Sequence, residues 1–268
     1  LDLQTGVWSQ GASRPVAAHG FEIETCGKNQ IYAFGGFAYS EDHNPKWKSL
    51  NRVDKYDPVT DTWTQVATMP RARSSNVAAQ VGNKIYLIGG WDSTPKSDGD
   101  YEGRFHREID VFNCETEKFE NSNLEIPDPL RRAFTGVSIG DKILLIGGLG
   151  VGASHFELLD NVTEFDPQSG TFKELAPLPF ATFAPAAGVK DGSLFVFGGM
   201  YKTGEMNYEY VNHVYKLNGS AWENTGRHLL ESKGFAVVVP VADSMLVIGG
   251  HSYKDGNDAP VPTIESFN

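Results

Sequence analysis

The side chains with the best spacing for chemistry are Glu205, Glu209 and His213, set four apart. Two carboxylates and an imidazole form a mixed donor set that suits Fe(II), which makes these three a weak candidate metal site. His213 also stands where a strand of the chain's repeat begins, so a purely structural place competes with the ligand role. Gly136-Val137-Ser138-Ile139-Gly140 matches the G-x-S-x-G pattern of a nucleophilic serine. That pattern works at a sharp strand-to-helix turn, and no helical period follows it here. Gly148-Leu149-Gly150 with Ala153 has the outline of a dinucleotide loop but lacks the helix and the acidic partner. Asp98, Asp100 and Glu102 offer carboxylates without the calcium-loop pattern. No catalytic residue is assigned, no cofactor is expected, and the chain reads as a non-enzyme, with a metal-dependent or sugar-processing enzyme using Glu205, Glu209 and His213 as the alternative.

The elements that would carry any site are written five times. IYAFGG at 31–36, IYLIGG at 85–90, ILLIGG at 143–148, LFVFGG at 194–199 and MLVIGG at 245–250 recur every 51 to 58 residues. Each is a short β-branched or aromatic run closed by a glycine pair: Gly35-Gly36, Gly89-Gly90, Gly147-Gly148, Gly198-Gly199 and Gly249-Gly250. Paired glycines at a strand end imply positive φ or a close backbone approach. About twenty residues on comes a second strand-like run, in RVDKYDP, EIDVFN, VTEFDP, HVYKLN and TIESFN. A ring then follows: Trp63 is seven after Tyr56, Phe119 seven after Phe112, Phe172 seven after Phe165, and Trp222 five after Leu217. With the stretch before each glycine phrase, every unit holds four short strands, a to d, separated by Gly-Asn, Gly-Asp and Asp-Pro turns. No window has a helical period.

The glycine pairs, Tyr56 with Trp63, Phe112 with Phe119, Phe165 with Phe172, and Trp222 resemble the kelch repeat, over essentially the whole chain. The resemblance, like the repeat length and strand count, implies an all-β propeller of four-stranded antiparallel blades. The expectation is one five-bladed domain over residues 1–268, with blades at about 11–67, 71–121, 131–176, 182–225 and 233–268 plus 5–10. Leu1-Asp2 and Trp8 occupy the places of Tyr56-Asp57 and Trp63, and the chain ends on a strand c at Thr263–Asn268. Ring closure is therefore expected by pairing of strand d, Val7–Ser9, with Ile264–Phe267, which would remove a free edge. The resemblance also reaches the specifier proteins of glucosinolate breakdown, which hold iron with a Glu, an Asp and a His. Here the middle position is Glu209.

With 23 Lys and Arg against 34 Asp and Glu, the net charge is −11, which argues against nucleic acid and anionic membranes as partners. No apolar run is long enough to span a membrane, and the chain is expected to be a monomer. Cys26 and Cys114 fall in turns expected near the axis and near the rim, so no bridge is expected. Low cysteine content suggests a cytoplasmic protein. The acceptor triplets Asn161-Val162-Thr163 and Asn218-Gly219-Ser220 keep a secreted, glycosylated, carbohydrate-binding alternative open.

A protein or peptide partner is expected at the face bearing the d–a and b–c connections, because long loops on a rigid frame carry binding. The b–c loops hold Tyr39, Trp47, Trp91, Tyr101, Arg104, Tyr201, Tyr208 and Tyr253, residue types that dominate binding hot spots, though some could simply pin their own loops. Sixteen residues before the first glycine of each pair stand His19, Arg73, Arg131, Thr182 and Lys233, which a ring would gather near its central mouth. The kelch resemblance implies arginines there that grip acidic peptides, and Arg73 with Arg131 could clamp a carboxylate. Neutralising nearby carboxylates is the other reading. Trp8, Trp63 and Trp222 are expected to be structural.

Overall fold

The computed structural model describes every residue except 28–29, 43, 152–155, 205–206 and 255–256. Among the described residues there is no helix, and five antiparallel meander sheets follow one another along the chain. Sheet 1 runs through Glu22–Thr25, Ile31–Phe34, Arg52–Asp57 and Thr62–Thr68. Sheet 2 uses Val77–Val81, Lys84–Ile88, Asp110–Asn113 and Lys118–Glu120. Sheet 3 uses Thr135–Ile139, Lys142–Ile146, Val162–Asp166 and Thr171–Glu174. Sheet 4 uses Ala186–Lys190, Ser193–Phe197, His213–Asn218 and Ala221–His228. Sheet 5 has three strands, Val237–Val241, Ser244–Ile248 and Ile264–Phe267. In each four-stranded sheet the order in space is a, b, c, d.

The repeated aromatics meet as their spacing requires. Tyr56 lies opposite Trp63, Phe112 opposite Phe119, Phe165 opposite Phe172 and Leu217 opposite Trp222. The indole N–H of Trp63 donates to the Ala12 carbonyl at 2.8 Å, and that of Trp222 to the Ala176 carbonyl at 2.9 Å. Each indole thus ties its sheet to the connector leading in. The rest of the core lies between sheets: Tyr32, Phe34 and Phe112 pack with Leu87 and Ile85, and Tyr86, Ile88 and Ile143 pack with Phe165.

The glycine pairs stitch one sheet to the next. The second glycine's N–H donates to the carbonyl of the residue sixteen places before the next pair: Gly36 to Arg73 at 3.0 Å, Gly90 to Arg131 at 2.9 Å, Gly148 to Thr182 and Gly199 to Lys233 at 2.8 Å. The first glycine lies against the same carbonyl. A Cβ on Gly89, whose φ is +61°, would come within 2.8 Å of the Arg131 oxygen. A positive φ and the absence of a side chain are both required at these positions.

Closure by the amino-terminal strand is not seen. Residues 7–9 form no strand, Val7 and Trp8 are 60% and 59% exposed, and Ile264–Phe267 pairs only with Ser244–Ile248. The segment is held elsewhere: Ala12 donates to Asp61, and Arg14 reaches Asp54 at 2.8 Å, both in sheet 1. Asp2 folds a turn of its own, accepting from Gln4 and Thr5 as Asp57 accepts from Val59 and Thr60 and as Asp166 accepts from Gln168 and Ser169. Trp8 therefore stands in the strand-d position of a turn that sheet 5 does not supply. The end faces confirm an open arc. Val237 and Val239 are 60% and 38% exposed, whereas their counterparts in sheet 2, Val77 and Ala79, are 3% and 2% exposed. Ile23 on sheet 1 is 53% exposed.

The cysteines are the second correction. Cys26 and Cys114 form a disulfide, with Cα atoms 6.1 Å apart. The c–d turn of sheet 2 leans over sheet 1 instead of staying at its own rim. Glu117 from that turn accepts from Tyr32 at 2.9 Å and from Lys55 at 2.6 Å. This lean brings Cys114 to the a–b turn of the neighbouring sheet.

Candidate functional site

The b–c connections are not irregular loops. Each folds back as a small antiparallel hairpin: Phe37–Tyr39 with Trp47–Ser49, Trp91–Asp92 with Arg104–Phe105, Leu149–Val151 with Phe156–Leu158, Met200–Lys202 with Tyr208–Tyr210, and His251–Lys254 with Asn257–Pro260. The d–a connector adds a rung to every one, through His19–Phe37, Ser74–Trp91, Arg131–Arg132 on Gly150–Leu149, Thr182–Phe183 on Tyr201–Met200, and Gly234–His251. The five hairpins form a crown at one end of the arc. Backbone hydrogen bonds give it rigidity that the sequence pattern does not advertise, because two- and three-residue strands are too short to show a period.

Four of the five residues expected at the mouth, Arg73, Arg131, Thr182 and Lys233, are buried beneath this crown. Arg73 is 0% exposed. It donates to Asp110 at 2.6 Å and to the carbonyls of Gly89 at 2.9 Å, Leu87 at 3.2 Å and Glu108 at 3.3 Å. Burial lowers its pKa from the ordinary arginine value, opposed by the Asp110 charge. Lys233, 1% exposed, donates to Glu265 at 2.6 Å and Thr263 at 3.1 Å. Arg131, also 1% exposed, donates among the described residues to Thr163 at 3.1 Å, which in turn donates to Glu174 at 2.7 Å. Burial pushes the Arg131 pKa down to about 10. Thr182 is buried and donates to the Met200 carbonyl at 2.9 Å. His19 is exposed and stacks on Phe37 at 5.4 Å. A clamp of Arg73 and Arg131 is thus corrected. Both side chains point into their own sheets, where one meets the strand-c acid of sheet 2 and the other a threonine in the same register. In sheet 1 the equivalent cation is Arg14, on Asp54 at 2.8 Å and the Gly35 carbonyl at 3.2 Å, displaced in sequence and so missed by counting.

The aromatic positions divide in two. Tyr39, Tyr101, Tyr208 and Tyr253 are 73%, 61%, 40% and 63% exposed. Trp47 meets Tyr101 edge-on at 5.9 Å across hairpins 1 and 2. Tyr201 packs on Phe180 and donates to Glu209 at 3.4 Å. Tyr210 donates to Asp258 at 3.4 Å, and burial, with Asp258, pushes its pKa up to about 12. Arg104 is bound within its hairpin to Asp100 at 3.3 Å, Asp92 at 3.6 Å and the Thr94 carbonyl.

Between hairpins 2 and 3 lies a feature the sequence reading missed. The Arg132 guanidinium sits 3.8 Å from the Trp91 ring centroid and 4.4 Å from that of Phe156. Phe105 completes the box, 6.2 Å from Trp91 and 6.1 Å from Phe156. The only available signal was a second arginine beside Arg131.

The chemical candidates fare less well. Glu205 lies outside the described residues. Glu209 is engaged by Tyr201, and His213 begins strand c of sheet 4 with its ring 5.5 Å from His228. Among the described residues no three His, Cys, Asp or Glu side chains are grouped to hold a metal. Ser138 donates to the Gln80 carbonyl of sheet 2 at 2.6 Å, a bond between sheets. No described helix is long and apolar enough to cross a membrane.

Four four-stranded antiparallel meander sheets and a fifth of three strands, stitched one to the next through glycine pairs, define a β-propeller architecture. Residues 1–181 match the model of the KLHDC2/KLHL20/DRC7 Kelch-repeats domain. The chain belongs to the kelch-repeat family. It is 29% identical to mouse Kelch-like protein 35 over 179 residues, covering 66% of this chain and 26% of that protein. Human Kelch repeat and BTB domain-containing protein 12 is 28% identical over 210 residues, covering 73% and 32%. Alpha-scruin of Limulus polyphemus is 28% identical over 204 residues, covering 75% and 21%. The chain thus spans between a fifth and a third of the length of these relatives. The solved structure of YjhT has the same fold, with a TM-score of 0.80 at 20% identity, covering 98% of this chain and 88% of that one.

Proposed function

We propose that this kelch domain is a non-catalytic recognition scaffold whose crown of five hairpins grips a protein or peptide. The observation that carries this reading is the exposure of Tyr39, Tyr208 and Tyr253 on hairpin strands pinned by backbone bonds, with Tyr101 exposed on the loop of hairpin 2. Large rings held in place lose little freedom on binding, and they gain apolar contact while keeping a polar tip. Family membership supports a scaffold role. The net charge of −11 disfavours nucleic acid, and the chain is taken as a monomer, to be checked by sedimentation.

A photo-crosslinking amino acid placed at Tyr39, Tyr101, Tyr208 or Tyr253 tests the reading, with Val59, an exposed turn residue of sheet 1 on the opposite face, as control. Crosslinks to one partner from the crown positions and none from Val59 are expected. Equal crosslinking from both faces overturns it.

The disulfide bears on compartment. We infer that the chain matures in an oxidising environment, since bridges persist there and are rare in the cytosol. This favours the secreted alternative over the cytoplasmic one. Thiol blocking before lysis of the native source, followed by mass spectrometry, should find Cys26 and Cys114 unblocked. Finding both blocked would remove the inference.

A further inference from the structure

In sheets 1, 2 and 3 strand c ends on an Asp or Asn that caps its own turn. Asp57 accepts from the backbone N–H groups of Val59 and Thr60, Asn113 from Glu115 and Thr116, and Asp166 from Gln168 and Ser169. Asn218 holds the same place in sheet 4, one residue after Leu217, which faces Trp222 as Phe165 faces Phe172. Its turn is shorter. Four residues separate Asp57 from its partner Thr62, and four separate Asp166 from Thr171, but only Gly219-Ser220 separate Asn218 from its partner Ala221. Backbone pairing closes this tight hairpin, and the side chain loses its capping role. Among the described residues the Asn218 amide and the Ser220 hydroxyl make no side-chain hydrogen bond. Asn218, Gly219 and Ser220 are all exposed, and a Cβ on Gly219 would meet nothing within 4 Å.

An exposed Asn two residues before a Ser or Thr hydroxyl has the chemistry of an acceptor for N-linked oligosaccharide. The chain holds two such triplets, and the fold separates them. At Asn161 every group of the triplet is committed. The Asn161 amide nitrogen donates to Glu174 at 3.4 Å, and its backbone carbonyl accepts from Gly147 at 2.9 Å. Val162 and Thr163 are both 0% exposed. The Thr163 hydroxyl accepts from Arg131 and donates to Glu174. A transferase that must read that hydroxyl cannot reach it in the folded chain. A glycan added before folding would stand on the nitrogen that meets Glu174, at the mouth of a sealed strand. Asn218 carries neither obstacle.

We propose that Asn218 is an N-glycosylation site and that Asn161 is not. The proposal rests on the oxidising-compartment reading of the disulfide, since lipid-linked oligosaccharide is the donor in that same route. Asn218 Nδ2 attacks the anomeric carbon of an oligosaccharide carried on a lipid pyrophosphate. The N–C bond forms as the C–O bond to pyrophosphate breaks. One amide proton leaves, the lipid pyrophosphate departs with the electron pair, and nothing is oxidised or reduced. The glycan then stands on a c–d turn, the face of the arc opposite the crown of hairpins. Its bulk shields the turns there and leaves the crown open.

The test takes the whole chain from its native source after thiol blocking and treats it with peptide-N-glycosidase in heavy-oxygen water. The enzyme turns a glycosylated Asn into an Asp carrying one heavy oxygen, which mass spectrometry assigns to a residue. Label at Asn218 and none at Asn161 is expected. The chain is also secreted from cultured animal cells as parent, N218Q, S220A and N161Q. N218Q and S220A should each lose the gel shift that the glycosidase removes from the parent, and N161Q should keep it. N218Q and S220A change an exposed turn, so both should melt with the deglycosylated parent, and either carries the comparison if the other does not fold. Unlabelled Asn218, label at Asn161, or a gel shift that survives in N218Q overturns the proposal. Unlabelled Asn218 with Cys26 and Cys114 unblocked removes the site and leaves the compartment reading standing. Unlabelled Asn218 with both cysteines blocked removes both.

Discussion

Asp110→Ala should be among the most damaging single changes in this protein. Asp110 is 4% exposed and accepts from Arg73 at 2.6 Å and from Arg71. Removing the carboxylate leaves the Arg73 guanidinium with only carbonyl partners in a site that water does not reach. Breaking one side of a buried ion pair typically costs about 3–5 kcal/mol, because the remaining charge stays desolvated. For a chain of this size each kcal/mol moves the midpoint by about 2–4 °C, so a fall of roughly 6–20 °C is expected. The double variant Arg73→Leu/Asp110→Leu removes both charges and should recover most of that loss, since apolar replacements of buried pairs are often neutral or better. The assay is urea unfolding followed by tryptophan fluorescence on Asp110→Ala and on the cycle of Arg73→Leu, Asp110→Leu and the double. The coupling energy should exceed about 2 kcal/mol. A loss below about 1 kcal/mol for Asp110→Ala, or simple additivity in the cycle, refutes the burial argument and reopens Arg73 as a surface cation.

Three further outcomes follow from the same geometry. Replacing Cys26 and Cys114 by Ser opens a loop of sequence separation 88 and should cost up to about 4–5 kcal/mol by chain entropy, read by denaturation with and without reductant. Gly89→Ala must bring a Cβ within 2.8 Å of the Arg131 carbonyl, while Gly82→Ala, at the same φ of +61°, meets nothing within 4 Å. The first should therefore lose more than about 2 kcal/mol and the second about 1 kcal/mol, and equal losses would show that φ strain alone matters. Burial raises the Glu22 carboxyl to about 8, helped by Glu24. A raised carboxyl means the folded state holds its proton more tightly. Its contribution is fully present below the unfolded value of 4.5 and is lost as pH rises through about 8. Melting temperatures across that window should fall more steeply for the parent chain than for Glu22→Gln, and parallel curves would reject the shift.

Much of the frame was legible because it rests on local requirements that recur. A glycine pair is needed wherever a strand end must take positive φ beneath the next connector's carbonyl, as at Gly36 under Arg73 and Gly199 under Lys233. Facing rings seven apart are needed wherever strands c and d pair across a tight turn, as Phe165 and Phe172 do. Such constraints act within a few residues and leave a period. The expected binding face was half legible. Tyr39 and Tyr253 are exposed as their composition suggested, but the loops bearing them are hairpins whose strands are too short to reveal themselves.

Burial and partnership across sheets left no mark on the sequence. Arg131 and Arg132 are neighbours in the chain and alternate sides of one short strand, so one is sealed over Thr163 and the other stacks on Trp91 from a different sheet. Cys26 and Cys114 meet only because a turn of sheet 2 leans over sheet 1. The ends of the arc are decided in the same way. Val237 and Val77 are the same residue in the same register, yet one is exposed and the other enclosed, because only Val77 has a next sheet to pack against. The chain alone determined the repeating wedge, since each wedge is specified by its own backbone and rings. The tertiary structure determined which charges are hidden and which face outward, since that depends on partners far along the chain, 37 residues for Arg73 and Asp110 and 40 for Arg14 and Asp54.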